Sequence, residues 1–206
     1  MSANNRILPR PLFLFGYALL ALIIVFELVV AWLALHPNVP EDYRAYYLDH
    51  TTTCLNQPVT GAYELGQTVS MLPDGREAAK TIKVCGLEGP VGDGTHVLGE
   101  RARLRFNFAR EADSLILSLR MVAVDKSPEA QPVKVLINGT QVDELQVAKG
   151  EPQDFRVVIP ADVVKAADGK IDLFLDFPAA IKMDPNDSNT RKRSVRIYSV
   201  KLDAGA

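Results

Sequence analysis

The sequence predicts an all-β fold, a jelly-roll β-sandwich outside the membrane, preceded by one N-terminal transmembrane helix. Three observations predict it. A single long apolar run stands near the start of the chain. The remainder is built of short apolar runs broken by Gly, Pro, Asp and Asn. Several of those runs alternate with period two, as half-buried strands do.

The apolar run covers 12–35 and holds one charged residue, Glu27. At about 1.5 Å per residue it exceeds a hydrocarbon core of ~30 Å. Arg6 and Arg10 precede it, whereas Glu41 and Asp42 follow it before the first basic residue, Arg44. That bias leaves residues 1–11 as a cytoplasmic N-terminus and sends everything after the helix across the membrane. The alternative, a cleaved signal peptide, calls for a shorter apolar run of about 7 to 15 residues and an A-x-A-like site, which this segment lacks. The expected location is the cytoplasmic (inner) membrane, single-pass, with a periplasmic or extracellular C-terminal domain.

Residues 36–61 read as a stalk with one helical turn, in which Tyr43, Tyr46 and Tyr47 share a side suited to a membrane interface or to packing under the outer domain. Residues 62–203 read as the sandwich and 204–206 as a tail. Strands are expected at 67–71, 80–85, 103–108, 115–124, 133–138, 141–147, 153–159, 171–177 and 194–202. In 103–108, Leu104, Phe106 and Phe108 point one way and Arg103, Arg105 and Asn107 the other, describing a sheet with one wet face. Asn138-Gly139 supplies the two positive φ angles of a type I′ hairpin turn. The stretch from Pro160 to Gly169 is the one helix expected within the sandwich.

Composition narrows the function classes. A net charge of −2 and a pI near 5.9 give no positive field for a phosphate backbone, so nucleic acid is not an expected partner. Cys54 and Cys85 both fall on the exported side, where a disulfide closing the loop between them would stabilise by roughly 3 kcal/mol; two buried thiols are the alternative.

The segments YELGQTVSM, GLEGPVGDGTHVLGERARLRF, PVKVLINGTQVDELQVAKGEPQDFRVVIPADVV and DLFLDFPAAIKMDPNDSNTRKRSVRIYSVKL together resemble a jelly-roll, carbohydrate-binding-module-like β-sandwich. That domain is appended to bacterial membrane glycosyltransferases and to phosphoglycerol-transferase-like envelope proteins. The resemblance implies a glycan-binding-like domain working in envelope polysaccharide assembly. Two positions depart from the family pattern: His96 stands where relatives often carry Trp, and Leu87 follows Gly86 where they carry Gly-Trp.

Little catalytic or metal chemistry is legible. His50 near Thr51, Thr52, Thr53 and Cys54 lacks a nucleophile-elbow context, no zinc-ligand spacing occurs, and no cofactor is expected. Asp184, Asn186, Asp187 and Asn189 hold oxygens for a hard cation but fail the EF-hand pattern, and a polar loop is the favoured reading. Arg191, Lys192 and Arg193, with His96, are candidate contacts to an anion or glycan, the alternative for the basic run being a merely solvated surface. In the apolar run Glu27 costs about 2.5 to 3.5 kcal/mol on insertion scales unless partnered, the alternative being a protonated Glu that snorkels or is tolerated in a single-pass anchor. Gly16, Ala31 and Ala34 fall near its face and would let a partner helix approach.

The reading that follows is a non-enzymatic, single-pass accessory subunit in bacterial envelope polysaccharide synthesis or modification. Its sandwich binds a glycan or a partner, and its helix contacts another integral membrane protein such as a glycosyltransferase. The alternatives are a protein-only scaffold of a membrane complex and an exported hydrolase or transferase.

Overall fold

A computed structural model describes residues 10–36, 38–49, 52–109, 113–126, 130–183 and 192–205. The chain divides into two compact units, Met1–Pro40 and Glu41–Ala206. The first is built on α1, Arg10–Leu35. Its span Phe13–Leu35 has a mean hydropathy of 2.8, with none of that window buried by protein. A core helix of a soluble domain would be covered, so α1 has the character of a membrane span or a signal sequence.

The second unit begins with α2, Glu41–Tyr47, whose tyrosine rings cluster: Tyr43 and Tyr46 lie 4.5 and 4.7 Å, centroid to centroid, from Tyr47. It continues into an all-β sandwich. One sheet takes the order β2 (Lys83–Cys85), β4 (Arg101–Asn107), β9 (Lys170–Asp176), β6 (Ala130–Ile137), β7 (Thr140–Ala148). The other runs β1 (Thr68–Ser70), β10 (Val195–Ala204), β5 (Leu115–Ala123), β8 (Gln153–Ile159), with β3 (Thr95–His96) also on β10. All pairings between these strands are antiparallel.

Period-two sequence produces this arrangement directly. In β4 the residues Ala102, Leu104 and Phe106 are buried while Arg101, Arg103 and Arg105 face out. Opposite them in β9, Ile171, Leu173 and Leu175 are buried and Asp172, Phe174 and Asp176 face out. The inner faces meet in one apolar core that includes Phe106, Phe177, Leu117, Leu119, Ile159 and Ile197. Tyr63 belongs to this core: the ring meets Phe106 edge-on at 4.9 Å, and the hydroxyl accepts from the Leu202 amide at 2.7 Å and donates to the Gln67 carbonyl at 2.5 Å. Burial pushes the Tyr63 phenol above its ordinary pKa.

The expected hairpin at Asn138-Gly139 is present, with φ of 48° and 89°, between β6 and β7. The helix expected before Gly169 is α4, Ala161–Ala167, ended by Asp168 in the left-handed region. One expected strand is corrected. Of 80–85 only Lys83–Cys85 is extended, because α3 occupies Arg76–Ile82. Its start follows a 3-10 turn with Pro73 in the first turn, and the helix formers REAAK then bury Ala79 and Ile82 on one side. The sandwich therefore carries α3 as well as the one helix that was expected.

Candidate functional site

Chain order and pairing set up the outward surface of the β2-β4-β9-β6-β7 sheet. Its cross-strand register aligns side chains in rows. Arg101 pairs with Asp176, which pairs with Lys134, which pairs with Glu144. One step along, Arg103 pairs with Phe174 and Phe174 with Leu136. A further step brings Arg105 opposite Asp172.

The rows are bonded to one another. Arg101 holds Asp176 bidentately, Nε and Nη2 at 2.6 and 2.7 Å from its two carboxylate oxygens. Asp172 receives Arg105 through Nε at 2.8 Å and Nη2 at 3.2 Å, and Arg103 Nη2 at 2.8 Å. Burial alone would raise the Asp172 carboxyl, yet the hydrogen bonds from Arg105 and Arg103 outweigh it and hold the group below the usual carboxylate range. Asp176 and Asp172 in turn raise Arg101 and Arg105. Phe174 is half-buried between the two ion-pair rows, with the Arg103 and Arg101 guanidinium carbons 5.0 and 5.6 Å from its ring centre. Two guanidinium groups thus lie over the Phe174 ring on an outward sheet face, and this face presents planar, hydrogen-bonding cations held by their carboxylate partners.

A cleft of about 560 Å³ opens at one end of this face, lined by Thr52, Thr53, Gly99, Glu100, Arg101, Lys134, Asp176, Phe177, Pro178 and Lys192. Thr52 and Thr53 reach it because the segment that carries them is tied down at Cys54–Cys85, whose Cα atoms are 4.8 Å apart. Farther along, that segment donates from Gln57 N–H to the Val84 carbonyl and from Gly61 N–H to Thr81. A smaller hollow at the other end is lined by Asn138, Gly139, Ala167, Lys170, Asp172 and Phe174.

The candidate cations disperse. Lys192 lies in the cleft and pairs with Glu100. Arg193 pairs instead with Glu88 at 2.5 Å, and its main chain bridges to Ile181. His96 sits on β3, its Nε2 3.5 Å from Asp93, which also takes Arg196 at 2.9 Å. Arg196 lowers the Asp93 carboxyl below its ordinary range. Arg191 lies outside the described residues, as do His50, Thr51 and the oxygen-rich loop residues Asp184, Asn186, Asp187 and Asn189. Among the described residues no three His, Cys, Asp or Glu side chains converge on a metal position. On α1 the helical repeat puts Gly16, Glu27, Ala31 and Ala34 on one face.

Sequence reasoning identified the wet side of β4 but missed Asp172, Phe174, Asp176 and Lys134. The available signal was the alternation in IDLFLD, which assigns Phe174 to the same side as two aspartates.

No family model matches this chain, and no curated protein matches it. Solved structures do. A carbohydrate-binding module CBM36 in complex with calcium and xylotriose is 12% identical, over 66% of this chain and 99% of that one, with a TM-score of 0.40. The CBM36-1 domain of a multidomain xylanase from the hindgut metagenome of Trinervitermes trinervoides is 13% identical over 68% and 98%, with a TM-score of 0.39. The C-terminal domain of EclA, a sugar-binding protein, is 13% identical over 52% and 68%, with a TM-score of 0.38. These likenesses are of architecture. The second unit is an all-β sandwich whose solved neighbours include carbohydrate-binding modules.

Proposed function

We propose that this protein is a non-enzymatic, membrane-anchored accessory subunit whose exported sandwich binds a glycan during bacterial envelope polysaccharide synthesis or modification. One observation carries the reading: the open sheet face on which Arg101–Asp176 and Arg103/Arg105–Asp172 flank Phe174, ending in a lined cleft. Its groups are already oriented by one another, which lowers the ordering cost of binding.

The hydropathy and exposure of α1 suit a single-pass anchor in the cytoplasmic membrane, with the sequence's Arg6 and Arg10 on the inner side and the sandwich periplasmic or extracellular. The Cys54–Cys85 bridge suits an oxidising compartment. Residues 36–61 connect anchor and sandwich. Glu27, with Gly16, Ala31 and Ala34 on its face, contacts another integral membrane protein such as a glycosyltransferase. Of the named candidates, Lys192 serves the glycan face, whereas Arg193 and His96 hold the loop containing Glu88 and Asp93.

A second reading, a scaffold that touches only protein, draws on the scarcity of open aromatics. The single tryptophan is Trp32 in α1, and Phe174 is overlaid by two guanidinium groups.

Affinity electrophoresis separates the two. The full chain in a sugar-free detergent, run through gels containing polysaccharide extracted from the source envelope, should be retarded in proportion to polysaccharide content. Equal mobility with and without polysaccharide contradicts glycan binding and favours the scaffold.

A further inference from the structure

The cleft beside Phe177 is lined by three cations and two carboxylates, and its pairing is uneven. Asp176 is held by both arms of Arg101, and Glu100 is paired with Lys192. Lys134 is the remaining cation. It is half-buried on β6 and faces Asp176 across the ladder, yet among the described residues its ammonium joins no ion pair.

The wall opposite is fixed in place. Gly99 has a φ of 86°, and a Cβ there would collide with the Thr53 hydroxyl, so Thr53 rests directly on the Gly99 backbone. The disulfide at Cys54 holds that threonine segment, and the Gly99 amide is anchored on the Lys192 carbonyl at 2.8 Å. A cleft of about 560 Å³ is within the ordinary size range of small-ligand sites, roughly 300–1,000 Å³.

We propose that this cleft receives the anionic oxygen group, carboxylate or phosphate, of a charged sugar, with Lys134 as its principal counter-charge. The inference rests on the glycan reading and deepens it: the face around Phe174 takes the neutral part of the ligand and the cleft selects for charge. Lys134 suits either group, because an ammonium is a point charge that does not demand a planar, bidentate acceptor. Asp176 and Glu100 are engaged by their own cations, and Glu144, opposite Lys134 on β7, does not line the cleft, so the Lys134 ammonium is the charge a ligand oxyanion meets there.

The test is NMR titration of the ¹⁵N-labelled full chain in C12E8 micelles with D-glucuronate, D-glucose 6-phosphate, D-glucose and inorganic phosphate. At least one charged sugar should shift the amides of Gly99, Glu100 and Phe177 saturably, and which one does so identifies the anionic group. Lys134→Gln should weaken that binding about tenfold, the factor corresponding to one charge-assisted hydrogen bond, while its thermal midpoint stays at the wild-type value. The proposal is overturned if no charged sugar moves these amides, or if Lys134→Gln binds as wild type. It is equally overturned if glucose or bare phosphate matches the charged sugars. Silent cleft amides with polysaccharide retardation retained would remove the charged-sugar site and leave the glycan-binding face standing. Loss of both would remove the two together.

Discussion

Arg103 and Asp172 stand on neighbouring strands 69 positions apart in sequence and meet at 2.8 Å, so that Asp172 is shared between Arg103 and Arg105. The Arg103 guanidinium also lies 5.0 Å from the Phe174 ring centre. One contact therefore links the ionic row to the aromatic row of the outer face.

That link gives a pH dependence. The Asp172 carboxyl is held below its ordinary range, so its contribution is present above the unfolded-state pKa of ~3.9 and is lost as pH falls through the lower folded value. Asp172→Asn should be less stable than wild type near pH ~6, and the gap should close on acidification below ~4. Urea midpoints measured across that range check this; a gap of constant size contradicts it.

Tyr63 supplies a stability test remote from the face. Tyr63→Phe leaves the Leu202 amide and the Gln67 carbonyl without the hydroxyl and should cost about 1–3 kcal/mol with the fold retained. Denaturant unfolding measures the loss; an unchanged midpoint would show that water replaces the hydroxyl.

The disulfide closes a separation of 31 residues, and the Cys54→Ser/Cys85→Ser variant should lose about 2–4 kcal/mol. Wild-type unfolding should likewise become easier under a thiol reductant. Identical curves with and without reductant would contradict the bridge.

Glu27 is tested in the membrane. Native-detergent co-purification of membrane partners should fall in part for Glu27→Gln, which keeps hydrogen-bonding capacity, and almost wholly for Glu27→Leu, with insertion and abundance matched. Equal recovery by Glu27→Leu would make the carboxyl a tolerated passenger.

Most of the sandwich was legible because its signal is local. Period-two alternation located β4 to β10, and the two positive φ angles at Asn138-Gly139 are a demand of the turn itself. The errors came where local signals conflicted. The run KTIKVC alternates like a strand, but its first half belongs to α3, whose buried side is set by Ala79 and Ile82. β3 spans only Thr95–His96, too short for any period to show.

The site was less legible than the fold because it is made by pairing. Nothing local to DLFLDF announces that Phe174 will sit beside Arg103. Conversely, Lys192 and Arg193 are adjacent in sequence but take separate partners, Glu100 and Glu88, because successive side chains of an extended chain point to opposite sides. Contiguous charge in the sequence therefore did not make one patch.

If the glycan reading holds, the β2-β4-β9-β6-β7 sheet, and not the β1-β10-β5-β8 sheet, is the binding face. Affinity electrophoresis of paired variants tests it most directly: Phe174→Ala and Arg103→Ala on one sheet, Arg156→Ala and the exposed Val158→Ala on the other. The first pair should lose most retardation by envelope polysaccharide while the second pair matches wild type, with all four equally folded. Retention by Phe174→Ala and Arg103→Ala, or loss confined to Arg156→Ala and Val158→Ala, would contradict it.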